Sequence, residues 1–464
     1  MSSSVPLVLA PSSRIFARRG YCVITENTKL KCTVMHPSEA FVLSLLDGHR
    51  GKEEIAAVFG NVFGVSPDES IETTRVVIEK FTAYLCAFDG RGELGRRYDP
   101  ESFIYPGFTD PPGLTEPMEG PLYLTLVLGN RCNFACVYCY ADLSASPMSI
   151  SGPEAVCLIE EAAAMGAVSV CLTGGEPLLH PDLDAIIGAA DRKGMIVVLA
   201  TNGSMVDESM AERLKQSGLK AVQVSLDAPS AEMHHSLTGS TDTFESVLTG
   251  IAFLKRKGLR VTTRSVIMAD NVRSVPALID LLRDSCVDEI TLTTRIVCSG
   301  TFNRTAEGRL DREALEFLNR VIAEKSAQYP DCAILFTQRE RDWRSGEDIV
   351  PCGGPMSALV VHPSGDVNFC EMMPDIPEMS LGNFRHESIR NMWRGARHQQ
   401  FLRDTVSTQR VDPACGNCTS LDECRTGCYS LSRSLSHDCY ARDPRCPGPE
   451  ELGRTITKDR LARP

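Results

Sequence analysis

The sequence lacks any apolar run long enough to span a bilayer, and its opening residues, Met1-Ser2-Ser3-Ser4, have neither the charged nor the apolar region of a signal peptide. It also lacks a basic excess: 48 Lys and Arg stand against 60 Asp and Glu, a net charge of −12. A membrane partner is therefore not expected, general nucleic-acid binding is argued against, and a cytoplasmic location is expected. Histidine is scarce, with nine scattered along the chain, so any metal chemistry falls to thiolates. What is abundant is cysteine, nineteen in all. In a reducing compartment these are read as ligands of iron–sulfur clusters or zinc rather than as disulfides. The 464 residues, 43% hydrophobic and 23% charged, fit a soluble globular chain of roughly two to four domains.

Three of the cysteines fall together in Cys132-Asn133-Phe134-Ala135-Cys136-Val137-Tyr138-Cys139-Tyr140, just after an apolar stretch over 122–128 that reads as a buried strand. Thiolates packed so closely can hold zinc or an iron–sulfur cluster. A zinc knuckle needs a fourth His or Cys in the usual nearby spacing, and none stands there. A four-iron cube has four corners, so three ligands leave one iron open. An open iron can bind a small chelating ligand and pass it an electron.

The run resembles the C-x-x-x-C-x-x-C signature of the radical S-adenosylmethionine (SAM) enzymes, including the aromatic Tyr138 before the last cysteine. The resemblance implies that Cys132, Cys136 and Cys139 hold a [4Fe–4S] cluster. It further implies that the amino and carboxylate groups of SAM chelate the open iron and that electron transfer releases a 5′-deoxyadenosyl radical.

From 122 to 294 strand and helix patterns alternate. Strands are expected at 122–128, 167–172, 195–200, 221–226, 260–267 and 289–294, and helices at 152–165, 181–193, 206–217, 243–257 and 272–284. This predicts an α/β fold, a partial (β/α)6 barrel of TIM type with its chemistry on the loops after the strands. Those strand exits carry the cysteine run, Thr173-Gly174-Gly175-Glu176-Pro177, Thr201-Asn202-Gly203 and Ser225-Leu226-Asp227. Gly174-Gly175-Glu176-Pro177 resembles the radical SAM motif that contacts the methionine amino group. By the same resemblance Tyr138, Thr201, Asn202, Ser225 and Asp227 are SAM contacts, to ribose hydroxyls or the carboxylate. Arg264, within the fifth strand, either pairs with that carboxylate or lies outside in a solvated ion pair.

Residues 1–95 read as a first unit, with short strands around Arg14-Ile15-Phe16-Ala17, Tyr21-Cys22-Val23-Ile24 and Lys29-Leu30-Lys31-Cys32-Thr33-Val34, then three helical patterns, a winged-helix order. Leu45-Leu46-Asp47-Gly48 followed by Glu53-Glu54-Ile55 resembles the PqqD-like recognition element of enzymes that modify ribosomally made peptides. That implies a precursor peptide whose leader adds a strand to the sheet edge. The alternative is a wing or dimerisation module with no peptide partner. Residues 96–120, rich in Pro and Gly, read as a linker, 121–297 as the barrel, and 298–350 as a bridging region. Cys298, close behind the sixth strand, is a candidate hydrogen-atom donor, against the plainer role of a buried thiol.

In residues 351–450, Cys352, Gly365 and Cys370 are followed by Cys415, Cys418, Cys424, Cys428 and Cys446. The pattern resembles the SPASM extension of radical SAM peptide maturases, which binds two auxiliary clusters. The resemblance implies that Cys415, Cys418, Cys424 and Cys446 hold one. Cys352, Cys370 and Cys428 hold the other, closed by Cys332 or Cys439 or left with an open iron, for three [4Fe–4S] clusters in all. A zinc ribbon over 415–428 is the alternative. Residues 451–464 read as a charged tail. The expectation is a radical SAM maturase that cross-links a precursor peptide, fed by a flavodoxin- or ferredoxin-type electron donor. Epimerisation, formylglycine-generating sulfatase maturation, a haem-biosynthetic reaction, and a non-catalytic electron-transfer or peptide-carrier protein are the alternatives.

Overall fold

The computed structural model describes residues 6–18, 21–26, 31–88, 97–104, 118–139, 141, 146–294, 310–337, 352–372, 379–407, 409–436, 438–444 and 446–452. It divides into two compact units, Met1–Glu119 and Gly120–Pro464.

The first unit begins with β1 (Leu7–Leu9), then β2 (Ser13–Arg18), β3 (Tyr21–Glu26) and β4 (Lys31–Met35). The last three form an antiparallel sheet with β3 at its centre, every residue of which is buried. Helices α1 (Pro37–Ser44), α2 (Lys52–Phe63) and α3 (Pro67–Lys80) follow, and β5 (Leu85–Ala87) returns to pair with β1. Ser66 caps α3 through its hydroxyl, and Pro67 opens the helix. In the Leu45-Leu46-Asp47-Gly48 turn the Asp47 carboxylate accepts from the His49 and Arg50 main-chain N–H groups at 2.9 and 3.0 Å. Gly48 has φ +79°. Phe41, Phe59, Ile24 and Phe81 meet in the core, which Phe103 joins from the segment expected to be a linker. From the same segment the Tyr98 hydroxyl accepts from the Ile15 N–H at 2.7 Å.

In the second unit the expected alternation is present. Strands β6 (Tyr123–Val127), β7 (Ser169–Thr173), β8 (Ile196–Thr201), β9 (Ala221–Ser225), β10 (Arg260–Ile267) and β11 (Glu289–Thr294) pair parallel, each with the next in sequence. Helices α4 (Gly152–Met165), α5 (Leu183–Arg192), α6 (Glu208–Gln216), α7 (Ala231–Thr238), α8 (Phe244–Arg256) and α9 (Val275–Asp284) lie between them. Helix α7 was not expected; it has only eight residues, too few for a clear apolar period.

The parallel run is longer than six strands. After α10 (Arg312–Gln328), β12 (Ala333–Thr337) pairs parallel with β11. After the short α11 (Gly354–Ser357), β13 (Ala358–Val361) pairs parallel with β6 on the other side, and β14 (Asp366–Asn368) and β15 (Gly382–Asn383) continue antiparallel. Both edges of the six-strand array are thus covered, which satisfies backbone groups an open edge would expose. Helices α12 (Ile389–Arg394), α13 (Ala396–Asp404), α14 (Pro413–Gly416), α15 (Leu421–Cys424) and α16 (Tyr429–Ser436) complete the chain.

The two faces of the sheet differ in chemistry. Leu124, Leu126, Val170, Leu172, Val222, Val224, Ile290 and Leu292 belong to the main core with residues of helices α4 to α9. Alternation therefore turns Thr125, Cys171, Gln223, Ser225, Arg264 and Thr291 to the opposite, inner face. No helix among the described residues is long and apolar enough to cross a membrane.

Candidate active site and cysteine clusters

Cys132, Cys136 and Cys139 lie on the loop that leaves β6, and the loop has no regular structure of its own. It is held by main-chain bonds from two sides. Gly175 and Glu176 donate their N–H groups to the carbonyls of Gly129 and Arg131, both at 2.8 Å. Ala135 and Val137 donate to Thr238 and Leu237 at the end of α7, both at 2.9 Å. A Cβ on Gly174 would stand 2.5 Å from the Gly129 carbonyl oxygen, and one on Gly175 would stand 2.1 Å from that of Arg131. The sequence reading gave these glycines to close approach of a ligand; the structure shows them admitting the cysteine loop itself. Gly239, which ends α7 at φ +60°, admits Ala135 in the same way.

The side chains of the motif serve the same assembly. Glu176 is 4% exposed and its carboxylate accepts from the Thr201 hydroxyl at 2.7 Å and from the Asn202 and Leu178 N–H groups at 2.8 and 3.0 Å. Burial raises its pKa, and these three bonds work against the rise. Pro177 opens the short turn Pro177–Leu179 that aims the Leu178 N–H back at Glu176. Asn202 donates through its amide to Asn133 Oδ1 at 2.8 Å, while Asn133 donates to Ser204 at 2.9 Å. Thr201 and Asn202, expected at SAM hydroxyls, are thus engaged with Glu176 and the cysteine loop. Asn133 and Ser204 were missed because single polar residues beside a motif carry no pattern of their own.

Tyr138 and Asp227 meet. The Tyr138 hydroxyl donates to Asp227 Oδ2, and Asp227 Oδ1 accepts from the Val266 N–H at 2.7 Å. Asp227 is 1% exposed, and burial pushes its pKa up to about 6. Tyr138 also packs with Val266 and Met268, so the aromatic of the signature is wedged against β10. Ser225 stands opposite Arg264 in the β9–β10 register. Cys298 lies outside the described residues.

Burial raises the Cys136 thiol pKa, with the charges of Asp227, Cys139 and Cys132 adding to the rise. Burial likewise raises Cys132, with Glu176 adding to it. The Cys136 thiol therefore lies within electrostatic reach of both Cys132 and Cys139. Among the described residues no three or more His, Cys, Asp or Glu side chains converge on a single metal ion.

In the tail, Cys415, Cys418, Cys424 and Cys446 line one pocket. Burial pushes Cys415 up to about 12, with Asp412, Cys424, Cys446 and Cys418 all adding negative charge. Such a set stays ionised only beside a positive centre, as four cluster ligands would. Cys370 forms a second group, its pKa raised by burial and then by Cys352 and Cys428. Of the two candidates to close that group, Cys332 lies beside Asp331, Arg283 and Asp288, and Cys439 is 3% exposed within the main core. Every described cysteine is free of disulfide bonding.

Residues 126–282 match the radical SAM superfamily, and residues 352–419 match the SPASM iron–sulfur cluster-binding domain. The Fe-coproporphyrin III synthase of Methanosarcina barkeri is 36% identical over 162 residues, 34% of this chain and 40% of that protein's length. The PqqA peptide cyclase of Xanthomonas campestris pv. campestris is 27% identical over 351 residues, 74% of this chain and 91% of that protein. The structure of SuiB from Streptococcus suis with bound S-adenosylmethionine superposes with a TM-score of 0.66 at 15% identity, covering 95% of this chain and all of that one. At that identity the likeness is one of fold. The chain thus carries a radical SAM domain and a SPASM domain, needs SAM and a [4Fe–4S] cluster, and is a radical SAM enzyme.

Proposed function

We propose that the chain is a radical SAM maturase of a ribosomally synthesised precursor peptide, cross-linking residues of the peptide's core. The observation that carries this reading is the N-terminal unit. The likeness to SuiB runs over 95% of the chain, whereas the matched segments of the haem-biosynthetic relatives take up 34% to 68% of it. SuiB has also been solved bound to its precursor peptide SuiA. A unit whose edge strands β2 and β4 pair with no further strand among the described residues suits a leader that adds a strand.

In this reading Cys132, Cys136 and Cys139 hold the cluster whose open iron takes SAM, and together these supply a hydrogen-abstracting radical. Gly174, Gly175 and Glu176 fix the cysteine loop, and the Tyr138–Asp227 pair closes it against β10. Ser225, Asn202 and Thr201 border the space left for SAM. Cys415, Cys418, Cys424 and Cys446 hold one auxiliary cluster. Cys352, Cys370 and Cys428, with Cys332 or Cys439, hold the other, giving acceptors for the electron left after abstraction. A flavodoxin- or ferredoxin-type protein supplies the reducing electron, and the enzyme works in the cytoplasm.

The test is a chain lacking residues 1–119 with its clusters reconstituted. It should cleave SAM as the full chain does and lose binding of a leader-bearing precursor peptide; undiminished peptide binding would remove the role given to the first unit. A haem-biosynthetic reaction is the second reading, favoured by the 36% identity to the coproporphyrin synthase. Turnover of iron coproporphyrin III by the truncated chain would establish it.

A further inference from the structure

Arg264 is a cation without a partner on the inner face of the sheet. Its Nε is buried, and among the described residues its guanidinium makes no hydrogen bond or ion pair. The neighbouring basic side chains at strand and helix ends are paired. Arg260 meets Glu289 at 3.1 Å, Lys255 meets Asp288 at 2.6 Å, and Lys325 meets Asp280 at 2.6 Å. Arg425, whose Nε is also buried, still donates through Nη1 to the Leu402 carbonyl at 3.1 Å. Arg264 as a whole is half-buried, and it is the Nε that is sealed and unbonded, so the planar fork of donors is placed to take an anionic ligand.

Its place in the fold says which ligand. Arg264 faces inward, two residues before Val266, the side chain that packs with Tyr138 of the cysteine loop. It therefore lies about 7 Å further from the mouth along β10, at the usual strand rise. The guanidinium is felt at the Cys171 thiol, midway along β7, together with Glu371. Burial pushes that thiol up to about 12, Glu371 adds to the rise and Arg264 opposes it. Among the described residues Glu371 forms no ion pair with Arg264. The other inward residues named above, Thr125, Gln223, Ser225 and Thr291, carry no charge. Among these described inward residues, Arg264 supplies the cation.

We infer that Arg264 receives a carboxylate of the substrate, an acidic side chain of the peptide core placed beside the position attacked, rather than the carboxylate of SAM. This rests on the peptide reading for the source of the carboxylate, and on the geometry alone for the carboxylate itself. A planar fork of donors takes a carboxylate through two parallel bonds, which fixes the orientation of the residue carrying it. Such a contact selects an acid over its amide, because the amide offers only one acceptor and brings a donor against the guanidinium.

The test uses the full chain with clusters reconstituted and SAM bound, and three probes: N-acetylglutamate methylamide, N-acetylglutamine methylamide and metal-free coproporphyrin III. Thermal stability is read for each, and SAM affinity is read by titration, in the wild type, R264Q and R264K. The acid should raise the melting temperature and the amide should not; R264Q should lose the response and R264K keep part of it. SAM affinity should change less than about twofold, since no bond to SAM is lost. A fall of about tenfold in SAM affinity in R264Q would assign the guanidinium to SAM and overturn the inference. An equal response to acid and amide, or none to either acid probe, would overturn it as well. A response to coproporphyrin III alone, lost in R264Q, would keep the carboxylate site and overturn the peptide source.

Discussion

Cys132, Cys136 and Cys139 sit on a loop with no regular structure, held in place by glycines and main-chain bonds from β7 and α7. Cys415, Cys418, Cys424 and Cys446 are carried by short helices and turns. The first set has three thiols and is supported from outside; the second has four and lines one pocket. The difference separates two uses of the same side chain. A set left one ligand short keeps an iron for chemistry, so its position must be fixed by the surrounding scaffold. A full set suits electron storage, and the cluster can help to hold the fold around it.

The largest expected effect tests that division directly. In C136A, release of 5′-deoxyadenosine from SAM in the presence of dithionite should fall at least about a thousandfold, because no cluster with an open iron assembles. In C424A the substrate-free release should stay within about threefold while iron content drops by about four per chain. Equal losses in the two variants would erase the distinction.

The glycines provide the next test. Gly175→Ala forces a Cβ against a main-chain oxygen 2.1 Å away, which side-chain motion cannot relieve. It should destabilise the fold by about 3 kcal/mol in urea unfolding of the cluster-free protein and displace the cysteine loop. Gly427→Ala in the tail meets the Asp443 side chain at 2.7 Å and a φ of +89°, and should cost about 1–2 kcal/mol. A milder G175A than G427A would mean that the loop is not pinned as described.

A smaller effect is expected from Glu176→Gln. The amide nitrogen cannot accept from the Thr201 hydroxyl or the Asn202 N–H, so one of these buried donors loses its bond. A loss of about 1–2 kcal/mol is expected, read as a lower urea midpoint with an unchanged slope.

The smallest concerns pH. His234 is 1% exposed, and its ring meets that of Phe134 on the cysteine loop at a 5.9 Å centroid distance. Burial, with His235 adding to it, lowers its pKa from 6.5 to about 4. The folded state resists a proton that the unfolded chain accepts, so stability present above pH 6.5 is lost as the pH falls toward 4. His234→Gln should flatten the acid limb of a stability–pH curve over that window; an unchanged limb would show that the loop does not depend on it.

Much of this was legible in the chain itself. Alternating apolar runs place β6 to β11 and most of the helices between them, and the cysteine spacings mark both kinds of site, because strand period and ligand geometry are local properties. Helix α7 was not legible: its role lies in two carbonyls that any sequence could offer. That β12 and β13 extend the parallel run at either edge was not legible. Pairing across the sheet is decided by closure of the whole chain.

What the sequence determined by itself is the residue inventory: which side chains can bind iron, where strands exit, and that one cysteine set is a ligand short. What only the tertiary structure decided is their engagement. Gly174 and Gly175 admit the cysteine loop, Thr201 and Asn202 serve Glu176, and Arg264 faces inward without a partner among the described residues. Those facts depend on residues from separate strands meeting within a few ångströms, and proximity of that kind arises only when the sheet closes around them.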